Sequence, residues 1–183
     1  MKFVLIGVGI VALLVIYGIA TYNKLVRRKT YVEEAWAQID TFLKRRFDLI
    51  PNLVETTKGY MKHEQETLTK IIEARNSIRA AKTRAKQIDA NNQLSSTLTH
   101  LFALSESYPD LKANQNFLLL QEELIGTENK IASARRRYNE VVRVFNTSVK
   151  TFPASIIAGI CGFREESYFE ANEVEREVPK VQF

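Results

Sequence analysis

The sequence predicts an all-α protein in which an N-terminal transmembrane helix precedes an antiparallel bundle of about four long helices. Twenty uncharged residues stand together near the N-terminus. Two later stretches carry apolar residues three and four positions apart, which is the spacing of one helix face. The chain contains only seven Gly and four Pro, too few turn residues for a sheet of many strands. We therefore exclude β-rich folds.

The uncharged segment runs from Phe3 to Tyr22 and has the length of a membrane span. At about 1.5 Å of rise per residue it covers roughly 30 Å, the thickness of the hydrocarbon core of a bilayer. A cleaved signal peptide is the alternative, but the apolar run is long for one and no small-x-small cleavage site follows it. We predict an uncleaved, single-pass anchor over residues 1–23.

Basic residues flank the anchor unequally, since only Lys2 precedes it. The positive-inside rule predicts that the helical body lies in the cytoplasm and that the N-terminus lies outside the cell (inner) membrane. The bases that follow the anchor either contact an anionic leaflet, at about 1 kcal/mol each, or only set the topology. These membrane-surface residues are Lys24, Arg27, Arg28 and Lys29.

The first long helix is predicted over residues 30–87. Thr30 and Glu33 fit a capping box at its start, unless the membrane helix runs on into it, and the sequence leaves both open. Pro51 removes one backbone donor from the helix interior. Because the apolar spacing stays in phase across Pro51, we predict a kink there and not a hairpin. The apolar face comprises Trp36, Ile39, Leu43, Phe47, Ile50, Val54, Thr57, Met61, Leu68, Ile71 and Ile78.

Two further helices follow a polar run at residues 86–92, which predicts a turn. The shorter helix covers residues 92–107 and ends before Pro109, because the residue before a proline avoids helical backbone angles. The next long helix is predicted over residues 112–151, where apolar residues recur at the same spacing as in the first. A repeat near 3.5 residues along such an apolar face suits long antiparallel or supercoiled packing.

The last apolar segment, residues 153–163, is too short to span a bilayer. It either caps the open end of the bundle or lies in the membrane interface, and the absence of a basic face favours the cap. The remaining residues, 164–183, are acidic and weakly periodic, so we expect an extended or disordered tail. The predicted organisation is an anchor, a bundle domain over residues 24–163 and this tail.

Charged residues interrupt both apolar faces where apolar side chains are expected. Glu64 and Arg75 interrupt the first face, and Glu128 and Arg135 interrupt the second. If the two long helices run antiparallel, opposite charges can meet as the pairs Glu64–Arg135 and Arg75–Glu128. We predict that these interhelical ion pairs fix the register of the helices. The alternative is a solvated edge of the apolar face.

Residues that could perform chemistry do not form a recognisable motif. His63 and His100 are far apart and stand in no HExxH arrangement. The single Cys161 excludes a cysteine-based metal cluster, and its apolar neighbours predict burial. We therefore expect no enzyme activity, no catalytic residue, no metal and no cofactor. A carboxylate di-metal site would lack its Glu-x-x-His motif, and its candidate ligands are Asp40, Asp48, Glu122, Glu123 and Glu128.

The net charge of +5 could attract nucleic acid or anionic lipid. The basic cluster between residues 79 and 86 has no interleaved aromatic residues, and the predicted anchor places the chain at a membrane, so we expect no nucleic-acid partner. The sequence contains no glycine-rich phosphate loop, so this motif gives no indication of a small-molecule substrate. Membrane lipid is therefore the expected partner of the basic residues.

Several sequence motifs cover nearly the whole chain. They include EAW at residues 34–36, LKRRFDLIPNLV at residues 43–54, YPDLKAN at residues 108–114, and TENKIA at residues 127–132. This set resembles the LemA family of bacterial proteins. The resemblance implies a single-pass membrane protein with an all-helical, antiparallel bundle, and it supplies no catalytic residue to carry over.

Two function classes follow from these observations. The first is a non-enzymatic, membrane-anchored helical scaffold that self-associates or binds envelope proteins. The alternative is an accessory or sensing protein that acts at the lipid surface through the basic residues 24–29 and the apolar residues 154–163.

Overall fold

A computed structural model of the chain describes residues 1–61 and 64–169. The described part is built from α-helices, which confirms the predicted all-α class. The expected acidic tail lies, from residue 170 onwards, outside the described residues. The helices are α1 (Lys2–Lys58), α2 (Gln65–Ala80), α3 (Arg84–Ser105), α4 (Pro109–Lys112), α5 (Gln115–Lys150) and α6 (Ala154–Ile160).

The chain divides into two compact units, and α1 and α5 contribute residues to both. Unit 1 comprises Met1–Ala37 and Arg136–Tyr168. Unit 2 comprises Gln38–Arg135 together with Phe169. The two units use different residues for their cores.

Unit 1 begins with the apolar turns of α1, which are long and apolar enough to cross a membrane and whose side chains are exposed. Beyond them, α1 packs against the last turns of α5 through buried aromatic and aliphatic residues. The rings of Trp36 and Tyr138 meet edge to face, with centroids 5.5 Å apart. The other buried members of this core include Leu25, Val32, Val142 and Phe145.

Unit 2 has an aliphatic core, in which α2 and α3 form a helical hairpin. Thr83 begins α3, because its side chain accepts a hydrogen bond from the backbone amide of Lys86 at 3.3 Å. Each fully buried aliphatic side chain contributes about 1.5–3 kcal/mol relative to exposure. The core comprises Ile50, Leu53, Met61, Leu68, Ile71, Ala74, Leu94, Leu98, Leu101, Leu111, Phe117 and Leu124.

The prediction of one helix over residues 30–87 is wrong at its C-terminal end, and at Thr30 the structure shows the second of the two alternatives, a helix that runs on from the N-terminal segment. Nothing between the apolar segment and Thr30 stops the N-terminal helix, which runs on to Lys58. Instead of capping a new helix, the Thr30 hydroxyl donates to the carbonyl of Val26 at 3.1 Å. The helix also continues through Pro51, which is exposed, and ends just before Gly59, so the chain does not turn at the proline.

The predicted turn at residues 86–92 is also wrong, because these residues lie inside α3. The break between the helices falls earlier, at residues 81–83. Asn91 and Asn92 looked like turn residues by composition, but both are buried. Asn91 is held inside the helix by a tertiary partner, Arg46, which local sequence does not show.

Candidate functional site

A buried arginine organises the polar interior of unit 2. Arg46 lies three residues after Leu43 and four before Ile50, so it shares their helix face, and it is 0% exposed. One guanidinium nitrogen, Nη1, donates to the carboxylate of Glu128 and to the Ser95 hydroxyl. This three-and-four spacing is the sequence signal for its burial, whereas its charge by itself predicts an exposed position.

The second terminal nitrogen of Arg46 is bound by α3. Nη2 donates to the side-chain oxygen of Asn91 at 2.6 Å and to its backbone carbonyl at 3.1 Å. Burial lowers the pKa of the Arg46 guanidinium, and the carboxylate of Glu128 acts in the opposite direction. Since arginine stays charged in proteins, this residue depends on its partners. The cluster therefore fixes α1, α3 and α5 at one point.

The charged residues of the apolar faces do not pair as predicted. Glu128 binds Arg46 and not Arg75. Arg75 instead stacks on the ring of Phe47, 4.0 Å from its centroid, and its Nε donates to the Phe47 carbonyl at 3.3 Å. The reason is that α1 ends at Lys58, so Arg75 belongs to a separate helix that packs beside α1 and α3.

The other predicted pair, Glu64–Arg135, is also not formed. Glu64 accepts a hydrogen bond from the Tyr108 hydroxyl, and this contact raises the pKa of Tyr108. The guanidinium of Arg135 lies 4.3 Å from the ring centroid of Phe169. Glu64 precedes the first turn of α2 and not the interior of a long helix, so it meets the α3–α4 corner instead of α5.

A groove of about 330 Å³ opens on the surface of unit 2 between α1, α2 and α3. Its less exposed lining combines three apolar side chains with Arg75, Gln87 and Asn91, and its exposed rim carries charges of both signs. Acidic residues therefore stand beside basic ones around a partly apolar interior. The apolar lining is Leu43, Phe47 and Ile78, the acids are Asp40 and Asp48, and the bases are Lys44, Arg75 and Arg79.

A second surface of unit 2, which we call the α5 stripe, exposes large apolar side chains. It consists of Leu118, Leu119, Glu122 and Ile125, which lie within about a third of the helix circumference. Leu119 is 64% exposed and Ile125 is 49% exposed. Exposed aliphatic residues in one patch indicate an interaction surface more than scattered ones do.

The carboxylates considered as metal ligands are distributed over separate places. Asp40 and Asp48 line the groove, and Glu122 is exposed on the α5 stripe. Glu123 pairs with Arg45, whose Nε lies 3.0 Å from its carboxylate. Within residues 1–61 and 64–169, no three His, Cys, Asp or Glu side chains are grouped to hold a metal ion. His63 lies outside the described residues, and His100 is exposed.

The four membrane-surface residues have different surroundings in unit 1. Lys24 and Arg27 are exposed, and Arg28 is half-buried. Lys29 binds the carboxylate of Glu166 and lies 3.3 Å from that of Glu33. Lys29 is therefore engaged in ion pairs within unit 1.

The short helix α6 packs beside the end of the apolar span. Its Ile157 faces Gly18, where an added Cβ would lie 3.9 Å from the isoleucine Cδ1. Gly162, with φ 75°, ends this segment and directs Phe163 toward Tyr22, at a ring distance of 5.9 Å. This position supports the membrane-interface alternative more than the preferred cap. The predicted burial of Cys161 is wrong, since the helix turns this residue outward.

The model of the LemA family matches residues 35–183 of this chain. The chain belongs to the LemA family. Protein LemA of Metamycoplasma hominis is 28% identical over 155 residues, which are 84% of this chain and 71% of that protein. With its N-terminal apolar helix, this LemA-family protein is membrane-associated, as expected from the sequence.

Local similarity extends to a second group of proteins. Magnetosome protein MamQ 2 of Paramagnetospirillum magneticum is 26% identical over 83 residues, and Magnetosome protein MamQ of Magnetospirillum gryphiswaldense is 27% identical over 82 residues. In both cases the match covers 45% of this chain and 30% of the relative. These matches therefore concern a segment and not a whole protein.

The motifs that carried the family resemblance have structural roles in this LemA-family protein. LKRRFDLIPNLV supplies Arg46, and TENKIA supplies its partner Glu128. YPDLKAN forms α4 and the start of α5, where the Asn114 side chain accepts from the amide of Phe117 at 3.0 Å. The motif residues thus fix helix ends and helix contacts.

Proposed function

We propose that this LemA-family protein is a non-enzymatic, membrane-anchored helical scaffold that assembles through unit 2. The groove is the observation that carries the proposal, because its apolar lining and mixed-charge rim suit a protein segment. Its bases, Lys44 and Arg79, are exposed on the rim near the acids Asp40 and Asp48. A partner segment needs apolar side chains to fill the groove and charged ones to meet this rim.

The α5 stripe of a second copy is the proposed occupant of the groove. It offers exposed leucine and isoleucine side chains, and Glu122 stands among them to meet the rim bases. Because the groove and the α5 stripe are different surfaces, each copy can place its stripe in the groove of one neighbour and receive the stripe of another neighbour in its own groove. Such head-to-tail contacts form rings or open arrays, which is how a small anchored protein serves as a scaffold.

Disulfide trapping in native membranes tests this contact. One tagged copy carries Lys44→Cys in the groove, and a differently tagged copy carries Leu119→Cys on the stripe, both with Cys161→Ser. We expect mixed cross-linked dimers on mild oxidation. The matched control pairs Lys44→Cys with His100→Cys on α3, which we expect to cross-link far less. Equal yields in both pairs would contradict the proposed contact.

An envelope protein is the other partner that this test can reveal. Cross-linking mass spectrometry on the same membranes identifies what lies next to the groove residue Lys44. If Lys44 were linked to a different protein and not to a second copy, the proposed self-association would be wrong and that protein would be the partner. Lack of any specific link would remove the scaffold proposal.

The cytoplasmic placement of the body is part of the proposal, and the unequal basic flanks of the anchor support it. A cysteine at the exposed His100, with Cys161→Ser, serves as the probe. In intact cells we expect protection from a membrane-impermeant maleimide, with labelling after permeabilisation. Labelling of intact cells would reverse the orientation.

The lipid-surface function is the second candidate, and one observation favours it. Phe152, Ile156 and Ile160 expose apolar side chains, and Phe152 lines the same cleft as the base Lys24. Hydrogen exchange of the full-length protein in nanodiscs tests it. We expect stronger protection of residues 152–160 when anionic lipid is present. Identical exchange in neutral and anionic discs would exclude this candidate.

A further inference from the structure

A cleft of about 410 Å³ in unit 1 lies between α1 and the corner where α5 meets α6. On α1 it is lined by Tyr17, Thr21, Lys24 and Arg28, which recur three and four residues apart and so share one helix face. On the other side it is lined by residues 147, 148 and 151–154. The cleft therefore has a basic end on α1 and an apolar end toward Tyr17.

Two cations stand one helix turn apart in this cleft. Lys24 and Arg28 are spaced i,i+4, a spacing at which like charges repel. Among the residues that the structure describes, neither has an ion-pair partner, whereas the adjacent Lys29 binds Glu33 and Glu166. An anion held between Lys24 and Arg28 would relieve their repulsion and form charge-assisted hydrogen bonds.

The hydroxyl groups opposite α1 do not supply the main donors. Those of Thr147 and Thr151 already donate to carbonyls of their own helix, at 2.8 Å and 2.7 Å. The charged donors of the cleft are therefore Lys24 and Arg28. This arrangement suits a group with several acceptor oxygens and at least one negative charge, such as a phosphate diester.

The position of the cleft along α1 favours the phosphate of a lipid over free inorganic phosphate. The apolar span ends at Tyr22 after roughly 30 Å of helix, which places Lys24 and Arg28 at the level of the headgroups. The neighbouring rings of Tyr17 and Phe152 are exposed, as aromatic residues of a membrane interface are. Acyl chains can follow these rings while the headgroup enters the cleft.

We infer that this cleft binds the phosphate headgroup of an anionic phospholipid from the leaflet that surrounds the C-terminal end of the anchor. The site needs no protein partner, so it is independent of the scaffold proposal. It also differs from a diffuse attraction of basic residues to the membrane, because Arg27 lies between the two site residues in sequence but outside the cleft.

Native mass spectrometry of the full-length protein, released from mixed phosphatidylglycerol and phosphatidylcholine bilayers, tests the site. We expect the wild type to retain phosphatidylglycerol over phosphatidylcholine. The double variant Lys24→Gln/Arg28→Gln should lose about tenfold or more in this preference, since each base near an anionic surface has a substantial effect. Equal retention of both lipids by the wild type would overturn the inference.

A matched control separates the cleft from general charge. Arg27→Gln/Lys130→Gln removes the same charge outside the cleft, and we expect it to retain phosphatidylglycerol within about twofold of the wild type. Lys24→Arg/Arg28→Lys keeps both charges and should retain the lipid, which guards against a folding defect. An equal loss in the control and in the site variant would overturn the inference.

Competition distinguishes a lipid from free phosphate. Inorganic phosphate, added at increasing concentration to the detergent-solubilised protein, should displace phosphatidylglycerol poorly, because it lacks the acyl chains. If inorganic phosphate displaced phosphatidylglycerol at an equal concentration, the cleft would recognise only the phosphate group and not the lipid. That outcome would overturn the lipid assignment.

Discussion

The two units of this LemA-family protein hold their interiors together by different means. Unit 1 buries aromatic rings, and Trp36, Tyr138 and Phe145 dominate its core. Unit 2 buries aliphatic side chains around one charged residue, Arg46. Aromatic packing stabilises through contact area, whereas a buried charge must keep its partners. The stability of unit 1 should therefore depend mainly on the volume of its buried side chains. The stability of unit 2 should depend mainly on the polar partners of Arg46.

Removing a ring should have the largest effect, and it should act in unit 1. Phe145 is fully buried, and its ring centroid lies 6.4 Å from that of Phe163. We expect Phe145→Ala to lower the free energy of unfolding by about 3–5 kcal/mol, because it leaves a cavity. Denaturant unfolding in detergent measures the loss, and Val144→Ala, at an exposed position, is the control. If Phe145→Ala and Val144→Ala both lowered the free energy of unfolding only slightly, Phe145 would not be a main member of the core.

Removing the carboxylate of Glu128 should be next in size and should act in unit 2. We expect Glu128→Met to cost about 3 kcal/mol, at the lower end for a broken buried pair because Glu128 is partly exposed. Hydrogen exchange should rise within residues 38–135. The double variant Arg46→Met/Glu128→Met should recover much of the loss. Single effects that simply add would show that the two residues do not act as a pair.

A neutral polar contact should have a smaller effect in unit 1. The Asn146 side chain holds the backbone of Glu166 by two hydrogen bonds of 2.9 Å. Asn146→Leu leaves that backbone amide and carbonyl without this partner, so we expect a loss of about 1–3 kcal/mol. Faster hydrogen exchange at residues 164–168 would report it. The exposed Asn129→Leu is the control, and an unchanged Asn146→Leu would show that water replaces the contact.

The smallest expected effect is a pH dependence of stability that comes from the Tyr108 hydroxyl in unit 2. Because the Glu64 hydrogen bond raises the pKa of Tyr108, the folded chain holds this proton more tightly than the unfolded chain. The stabilisation is complete below the ordinary tyrosine pKa of about 10 and is lost as the pH rises through the raised value. The stability difference between wild type and Tyr108→Phe should therefore shrink from pH 8 to pH 11 in urea unfolding. A constant difference would contradict this contact.

The sequence by itself determined the fold class, the apolar span and the family. These features depend on composition and on helical spacing, which are local properties. The spacing also identified most of the core, since Ile39, Leu43, Ile50 and Ile71 are buried as their positions predict. Phe47 is only partly buried, because its ring lies under Arg75 at the surface of the groove.

Only the tertiary structure decided where the helices end and which charges meet. The end of α1 at Lys58 places Glu64 and Arg75 outside that helix, so the expected partners on α5 are replaced by Tyr108 and Phe47. The burial of Arg46 is the clearest case, since an arginine among apolar residues is stable only when residues from α3 and α5 approach it. Helical spacing tells which face is buried, but the partner comes from a distant part of the chain.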